Sequence, residues 1–156
     1  IKMRDNTFLE WSTTNEIGIL DYDIEQYKWN HWVSVGQVRG KGRETMNKYS
    51  FKVPLHSGIN KFRVTQTDNS GKKRISEEVI QESKIQEFSM TPTSVRDDIF
   101  FYSGGKKEKT RYEVYDAFGN LLKVGFADHV DCRNIVNGIY YINYDNKNEK
   151  FLKASE

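Results

Sequence analysis

Three carboxylates at positions 21, 23 and 25 come closest in this sequence to the residue types and spacing of a hydrolytic site. Asp21, Asp23 and Glu25 alternate along the chain, so in a β-strand they point to one face with neighbours about 7 Å apart. That distance is near the carboxylate separation of an inverting glycosidase. Such enzymes hold their carboxylates on different elements across a deep cleft, which a small β-sandwich does not supply. We therefore expect a solvated polar face here and not a catalytic pair.

The segment from His129 to Cys132 contains the residue types of a nucleophilic cysteine site. Successive side chains of a strand point to opposite faces, so His129 and Asp131 share one face and Cys132 points to the other. Without a nearby base the Cys132 thiol is not converted to a thiolate. The spacing therefore predicts a buried structural thiol. As the single cysteine of the chain, Cys132 also excludes an intrachain disulfide and a multi-cysteine metal site.

Phosphate and metal motifs are absent from the sequence. The glycines of residues 36–42 lack the spacing of a phosphate-binding loop, and we expect a hairpin there. His31, His56 and His129 are far apart along the chain, and the oxygen-bearing side chains at 97–98 and 145–148 do not follow an EF-hand pattern. We expect no catalytic residue, no metal and no cofactor, and therefore no enzyme.

Aromatic side chains of the first half are the best candidates for ligand contacts. Trp29 and Trp32, with Tyr22 and Tyr27, have the residue types of a flat platform that stacks on sugar rings. The favoured alternative places Trp11, Tyr22 and Trp32 in the core. Tyr27 and Trp29 then remain exposed as candidate contacts for a polysaccharide.

Composition restricts the classes of partner. The chain has 156 residues, and 24 Lys plus Arg against 22 Asp plus Glu leave a formal charge of only +2. The basic clusters at 72–74 and 106–109 contain no interleaved aromatic residues, so we expect no binding to nucleic acid. The aromatic content of 13% argues against disorder. The longest apolar runs, such as 139–142, are too short to span a bilayer, so we expect no transmembrane segment.

The elements that must position these residues are predicted to be β-strands. Apolar residues recur at period two, without a long stretch at helical spacing, and turn residues separate these runs every 8 to 12 positions. A polar segment at 81–84 divides the chain. The pattern predicts an all-β fold with two small antiparallel β-sandwiches, Ig/fibronectin-like, in tandem at 1–84 and 85–156.

Residues 5–82 resemble a fibronectin type III domain. Trp11 occupies the place of the early-strand tryptophan, and Tyr22 that of the tyrosine on the next strand. The run LHSGINKFRV at 55–64 resembles the late corner of such domains, with Phe62 where tyrosine is usual. This variant is similar to modules common in secreted proteins of the Bacteroidetes, and the resemblance implies a spacer domain.

Residues 85–156 resemble the C-terminal sorting domain (type A) of the Bacteroidetes type IX secretion system. The runs YEVYDAFGNLLK at 112–123 and VNGIYYI at 136–142 carry the resemblance, together with the ending EKFLK at 149–153. The family usually opens with a Pro-Asn-Pro-like segment, where this chain has MTPTSV at 90–95. The resemblance implies recognition by the type IX secretion machinery and its surface sortase.

Several residues of this second half are candidates for the sorting signal. For Gly119 and Gly138 the alternative is an ordinary hairpin glycine, and for Lys150 and Lys153 it is the protection of an edge strand by charge. The first residues contain no apolar leader, so we expect no signal peptide in this sequence. The resemblance implies that the chain is the C-terminal piece of a longer protein that is secreted or held at the outer-membrane surface. The candidates are Tyr115, Asp116, Gly119, Gly138, Tyr140, Lys150 and Lys153.

Overall fold

The computed structural model describes residues 1–155, which form seventeen β-strands and, within that range, no helix. The chain divides into two compact units, Ile1–Ser83 and the part from Lys84 onward. Each unit has its own hydrophobic core between two sheets. The predicted all-β fold with antiparallel sandwiches is confirmed.

Two sheets form the first unit, with all strand pairs antiparallel. One sheet has the order β1-β2-β5, and the other has the order β4-β3-β6-β7 with β8 also pairing β6. The strands are β1 (Lys2–Arg4), β2 (Phe8–Thr13), β3 (Tyr22–Lys28), β4 (His31–Val38), β5 (Asn47–Lys52), β6 (Ile59–Thr67), β7 (Lys73–Ile75) and β8 (Val79–Glu82).

Aromatic rings fill one end of the first core. Trp11 from β2 stacks on Tyr49 from β5 with ring centres 5.3 Å apart, and Tyr22 from β3 meets both rings edge-on or tilted. Leu9 and Ile24 continue the core with fully buried side chains. Because these residues alternate along their strands, one face of each sheet is apolar and the two faces pack together. The prediction that Trp11 and Tyr22 are core residues is confirmed.

The corner before β6 is held by the side chain of Asn60. Its Oδ1 accepts hydrogen bonds from the His56 N–H at 3.0 Å and from Gln26 Nε2 at 2.9 Å. Its Nδ2 donates to the carbonyls of His56 and Gly58. A loop that turns inside the protein needs such partners for its backbone groups. The buried side-chain amide of Asn60 therefore provides hydrogen-bond partners for the backbone N–H and C=O groups that the tight turn leaves unpaired.

The glycines of residues 36–42 do not form the hairpin that we expected. Gly36 lies within β4, which pairs with β3, whereas the next strand, β5, pairs with β2 in the other sheet. The segment after Val38 therefore crosses between sheets, and Gly40 donates its N–H to the Leu20 carbonyl on the way. The glycines indicate an irregular connection, which is present. Which strands this connection joins is decided by pairing between segments that are distant in sequence.

The second unit is also a sandwich. One sheet has the order β10-β17-β16-β13-β14, and the other has β12-β11-β15 with β9 pairing β11. The short β10–β17 pair is parallel, and the other pairs are antiparallel. The strands are β9 (Phe88–Thr91), β10 (Ser94–Val95), β11 (Asp98–Ser103), β12 (Lys106–Lys107), β13 (Thr110–Asp116), β14 (Leu121–Ala127), β15 (His129–Asp131), β16 (Gly138–Tyr144) and β17 (Lys147–Lys153).

Cys132 lies in the core of the second unit. It is fully buried with Phe101, Val114 and Ile142. Burial raises the pKa of its thiol to about 11, because the charged thiolate is disfavoured away from water. The predicted structural thiol is confirmed, and a nucleophilic role is excluded by the same burial.

Candidate functional site

One row of side chains crosses the outer face of the larger sheet in the second unit. Lys150 of β17 pairs with Tyr141 of β16, Tyr141 with Tyr115 of β13, and Tyr115 with Leu121 of β14. Residues directly opposite in antiparallel strands share a face, so these four side chains lie side by side. Lys150, Tyr141 and Leu121 are exposed, and Tyr115 is half-buried. Two sorting-signal candidates, Tyr115 and Lys150, are thus brought into one surface row.

Hydrogen bonding orients the middle of this face. The Tyr115 hydroxyl donates to Glu113 Oε1 at 3.0 Å, and Asn143 Nδ2 donates to the same oxygen at 3.1 Å. Partial burial and the bond to Glu113 raise the pKa of Tyr115 above its ordinary value. The phenol is therefore neutral at physiological pH. It presents a fixed polar edge between apolar neighbours.

Asp116 and Gly119 form the turn between β13 and β14. Asp116 Oδ1 accepts the N–H groups of Phe118 and Asn120, both at 2.9 Å, and Oδ2 accepts Asn120 Nδ2 at 2.9 Å. The bond from the Asn120 side chain is the largest cause of the lowered pKa of Asp116. Gly119 has a φ of +84°, a conformation that glycine adopts without strain. The turn presents Phe118 at its tip with 91% of the side chain exposed.

Three other sorting-signal candidates lie away from the exposed row. Tyr140 is buried, stacks on Phe151 with ring centres 5.5 Å apart, and donates its hydroxyl to the Val136 carbonyl. Lys153 is also buried, and its Nζ donates to the Arg96 carbonyl at 2.8 Å. Gly138 begins β16 with a φ of +154°. Tyr140 and Lys153 are thus buried in the folded unit, and Gly138 is half-buried.

Phe118, Val136 and Tyr141 are exposed residues of this region that the sequence reasoning did not select. Each lies within or beside a run that carries the family resemblance, but the sequence pattern predicts that an apolar residue in such a run belongs to the core. Their exposure follows from the turn at Phe118, the loop before Gly138 and the outward register of Tyr141. None of these features has a signal in local composition.

The outer face of the β4-β3-β6-β7 sheet is the second candidate surface. Tyr27 of β3 lies opposite Trp32 of β4, with ring centres 5.3 Å apart and planes at 71°. The Arg63 guanidinium lies 4.2 Å from the centre of the Trp32 ring, and Lys61 Nζ lies 5.7 Å from that of Tyr27. The rings are thus not coplanar, so they form an edge-to-face pair and not a flat platform.

Trp32 is not a core residue, which corrects our expectation. In β3 the neighbours alternate, with Gln26 buried and Tyr27 exposed, and Trp32 pairs with Tyr27. It therefore points outward, where Arg63 leaves it half-buried. A register irregularity between Ile24 and Glu25 sets this arrangement.

The carboxylates of Asp21, Asp23 and Glu25 occupy different surroundings. Glu25 is buried and accepts a hydrogen bond from Arg63 Nε at 2.7 Å, with Lys73 Nζ 3.7 Å from its other oxygen. Asp23 accepts the Ser34 hydroxyl. Asp21 precedes β3. The expectation of a solvated polar face is therefore wrong for Glu25, because cations from β6 and β7 cover it.

A shallow hollow of about 830 Å³ lies on this face near the start of β3, and neither Tyr27 nor Trp32 lines it. Its wall combines carboxylates, an amide, hydroxyls and cations. The residues that line it include Asp21, Asp23, Gln37, Arg39, Thr65 and Lys73. Such a polar concave surface can hydrogen-bond to a hydroxyl-rich ligand.

Trp29 lies at the tip of the β3–β4 hairpin. Trp29 and Asn30 have φ values of 56° and 68°, and Lys28 Nζ lies 4.3 Å from the centre of the Trp29 ring. A bulky residue in the left-handed region is strained. Trp29 is half-buried and not exposed as the sequence predicted, because it lies at the hairpin tip with the Lys28 side chain over its ring.

The described part of the chain has no metal-binding cluster and no membrane-spanning helix. Among residues 1–155 no three His, Cys, Asp or Glu side chains are grouped so that they would hold a metal ion. No helix long and apolar enough to cross a membrane occurs in the described residues.

Comparisons with known proteins give only remote structural likenesses. No protein family matches the chain, and no curated protein matches it. Of 24 solved chains that match, one is a tetra-tandem repeat in the extending region of a large adhesion protein, with 12% identity over 96% of this chain and 47% of that chain and a TM-score of 0.38. Another comprises the FN1–FN3 domains of chicken CNTN1, with 11% identity over 96% of this chain and 61% of that chain and a TM-score of 0.32.

This chain thus spans about half to three fifths of the length of those two solved chains. Its own strand order defines the class of fold. A three-stranded sheet packs on a sheet of β4-β3-β6-β7 in the first unit, which is an Ig/fibronectin-like sandwich.

Proposed function

We propose that the chain is a non-catalytic region of a secreted or cell-surface protein. Residues 1–84 act as a fibronectin type III-like spacer. Residues 85–156 act as a folded signal that the type IX secretion machinery and its surface sortase recognise. The protein is thereby exported and held at the outer-membrane surface.

The row from Lys150 to Leu121 carries this proposal. A folded signal needs an exposed surface of fixed shape and no reactive group. The row meets that need, since Glu113 orients Tyr115 and the turn at Asp116 is closed by its own hydrogen bonds. The buried candidates Tyr140 and Lys153 support the same surface from beneath.

A secretion assay tests the proposal. The full chain is fused behind a signal peptide and a fluorescent reporter and expressed in a type IX-competent bacterium and in a secretion-defective strain. We expect surface or medium fluorescence in the first strain and periplasmic retention in the second. Retention of a folded fusion in both strains would contradict the proposal.

Matched variants test the surface row. Lys150→Glu reverses the charge of the row on β17, and we expect it to reduce export at least about fivefold because the partner must match that charge. Lys48→Glu reverses an exposed lysine of β5 in the other unit and serves as the control. Equal export of both variants would remove Lys150 from the recognised surface.

A carbohydrate-binding or adhesion role of the first unit is the second candidate. The specific observation in its favour is that one sheet face carries both a polar hollow and, farther along β3, the aromatic pair of Tyr27 and Trp32. Hydroxyl-rich ligands need both hydrogen-bonding groups and a ring to stack on, and this face offers both. The proposed contacts are Tyr27 and Trp32, with Trp29 as a separate contact at the hairpin tip.

Tryptophan fluorescence tests this role, because all three tryptophans lie in the first unit. Soluble polysaccharides are titrated into the full chain, and we expect a saturable change that Trp32→Ala abolishes. Trp29→Ala distinguishes the hairpin tip from the sheet face. A flat titration with every polysaccharide would leave the first unit as a spacer.

A further inference from the structure

Strand β14 lies at the edge of its sheet with an apolar outer side. It pairs with β13 along one side, and no other described strand pairs with it. Leu122, Val124 and Phe126 have 43%, 62% and 61% of their side chains exposed. The strand contains no proline, and its single charged residue, Lys123, is half-buried with Nζ 2.7 Å from Asn134 Oδ1. An edge of this kind is a template for another strand.

Several other edges of the molecule are protected in the usual ways, and the second long edge, β4, exposes the polar residues His31, Ser34 and Gln37. Strands β10 and β12 have only two residues each, and β12 consists of Lys106 and Lys107. The edge strand β5 carries exposed Lys48, Ser50 and Lys52 on its outer side. Short length and exposed lysines both discourage pairing with another chain. β14 is seven residues long and its outer side has neither device; the one irregularity in its pairing with β13 lies at Leu122, before the regular stretch from Lys123 to Ala127.

We propose that β14 pairs antiparallel with β14 of a second copy of this chain and forms a symmetric dimer with a continuous ten-stranded sheet. The two-fold axis passes through Val124. Alternate residues of an edge strand direct their N–H and C=O groups away from the sheet, and the second copy supplies their partners. A two-fold contact of this kind closes on itself and does not propagate into a fibre.

The sequence of β14 is self-complementary in this register. Val124 lies opposite Val124 of the second copy, and Leu122 lies opposite Phe126, so the outer side of the seam is wholly apolar. On the other side Lys123 lies opposite the uncharged Gly125. The two lysines are thus offset, and no like charges lie directly opposite each other. A shift by one residue in each strand toward Lys123 would place lysine against lysine and is disfavoured.

The inference does not rest on the proposed secretion role, although both involve β14. It depends on the open edge of that strand, whereas secretion is argued from the row of outward side chains that runs from Lys150 on β17 to Leu121 on β14. The experiments measure different quantities, association in solution and export, so the failure of one is distinguishable from the failure of the other.

Sedimentation velocity of the purified full chain tests the dimer. We expect a concentration-dependent monomer–dimer equilibrium for the wild type. For Val124→Lys we expect a dimer dissociation constant at least about tenfold higher, because the substitution places like charges next to each other on the axis. Ile139→Lys is the control, because Ile139 is an exposed apolar residue of β16 on the same face and away from the seam. We expect it to dimerise like the wild type.

Cross-linking tests the register. In Val124→Cys the two introduced thiols lie about 5 Å apart across the axis, whereas in Ile139→Cys five strand spacings of about 4.8 Å separate them. A short bismaleimide should join the first variant and not the second. The native Cys132 does not interfere, since it is fully buried.

Three outcomes would overturn the inference. These are a wild type that stays monomeric at every concentration, a Val124→Lys variant that dimerises as strongly as the control, and association that continues beyond the dimer. Cross-linking of both cysteine variants to the same extent would also refute the proposed register.

Discussion

A single buried amide, Asn60, supports the corner that precedes β6. Replacing it with alanine removes five hydrogen bonds, so the His56 backbone groups lose their partner and the Gln26 side chain keeps only the Pro54 carbonyl. We expect Asn60→Ala to lower the free energy of unfolding of the first unit by about 2–4 kcal/mol. Urea titration followed by tryptophan fluorescence measures this loss.

The control for this prediction is an exposed asparagine of the same unit. Asn69→Ala lies in the turn before β7 and should change the free energy of unfolding by less than about 0.5 kcal/mol. Equal stabilities of the two variants would show that the corner does not depend on Asn60.

Trp29 provides a prediction about backbone strain. Its φ of 56° suits glycine and disfavours alanine, and both replacements lose the indole. We expect Trp29→Gly to be more stable than Trp29→Ala by about 1 kcal/mol. Both variants lose the same indole contacts, so the difference between their urea midpoints measures the backbone strain alone. If Trp29→Ala equals or exceeds Trp29→Gly, the hairpin tip is not held in the left-handed conformation.

At the level of elements, Glu16 joins the long loop after β2 to the segment that crosses between the sheets. Its carboxylate accepts hydrogen bonds from Thr13, from the Tyr49 hydroxyl at 2.6 Å and from the Gly42 N–H at 3.2 Å. Burial alone would raise the pKa of Glu16, but these hydrogen bonds outweigh it and leave the pKa lowered. Burial and the hydrogen bond to Glu16 raise the pKa of Tyr49 to about 12.

The lowered pKa of Glu16 makes the stability of the first unit depend on pH. A folded pKa below the unfolded value gives a stabilisation that is present above the unfolded pKa and is lost as pH falls through the folded pKa. From pH 6 to pH 3 we expect the wild type to lose more stability than Glu16→Gln, as measured by urea midpoints. Glu78→Gln, an exposed carboxyl near β8, should follow the wild type. Parallel pH curves for all three proteins would contradict this account.

Strand prediction succeeded where one face of a strand is buried. Tyr22 and Ile24 in β3, and Tyr140 and Ile142 in β16, alternate with other residues because their strands bury one side. The short strands β1, β7 and β12 have no such periodicity, and they form only because a longer neighbour offers backbone partners. Pairing, and not local composition, therefore decides whether such segments are strands.

For the whole molecule, the separate cores lead to a prediction about fragments. The core residues of the second unit all lie between Phe88 and Phe151. We expect residues 84–156 expressed alone to fold and to protect Cys132 from a thiol reagent as well as the full chain does. With the pKa near 11 in place of 9, the thiolate fraction at pH 8 falls about a hundredfold, in addition to steric protection.

The rate of thiol modification measures this protection. Phe151→Ala provides the contrast, since a cavity beside the core costs about 3–5 kcal/mol and should increase the rate in both proteins. Rapid modification of the unmutated fragment, at the rate of the urea-unfolded chain, would show that the second unit does not fold alone.

The class of fold and the absence of a phosphate-binding motif could be read from residue order, because alternation and turn residues act within a few positions along the chain. The surroundings of particular side chains could not. Trp11 and Trp32 look alike in sequence, yet one is core and the other stacks under Arg63 on the outer face. Glu25 looks solvated, yet Arg63 and Lys73 cover it. Register, bulges and free edges arise from pairing between distant segments, so tertiary structure alone determines which face a residue occupies and which edge remains open.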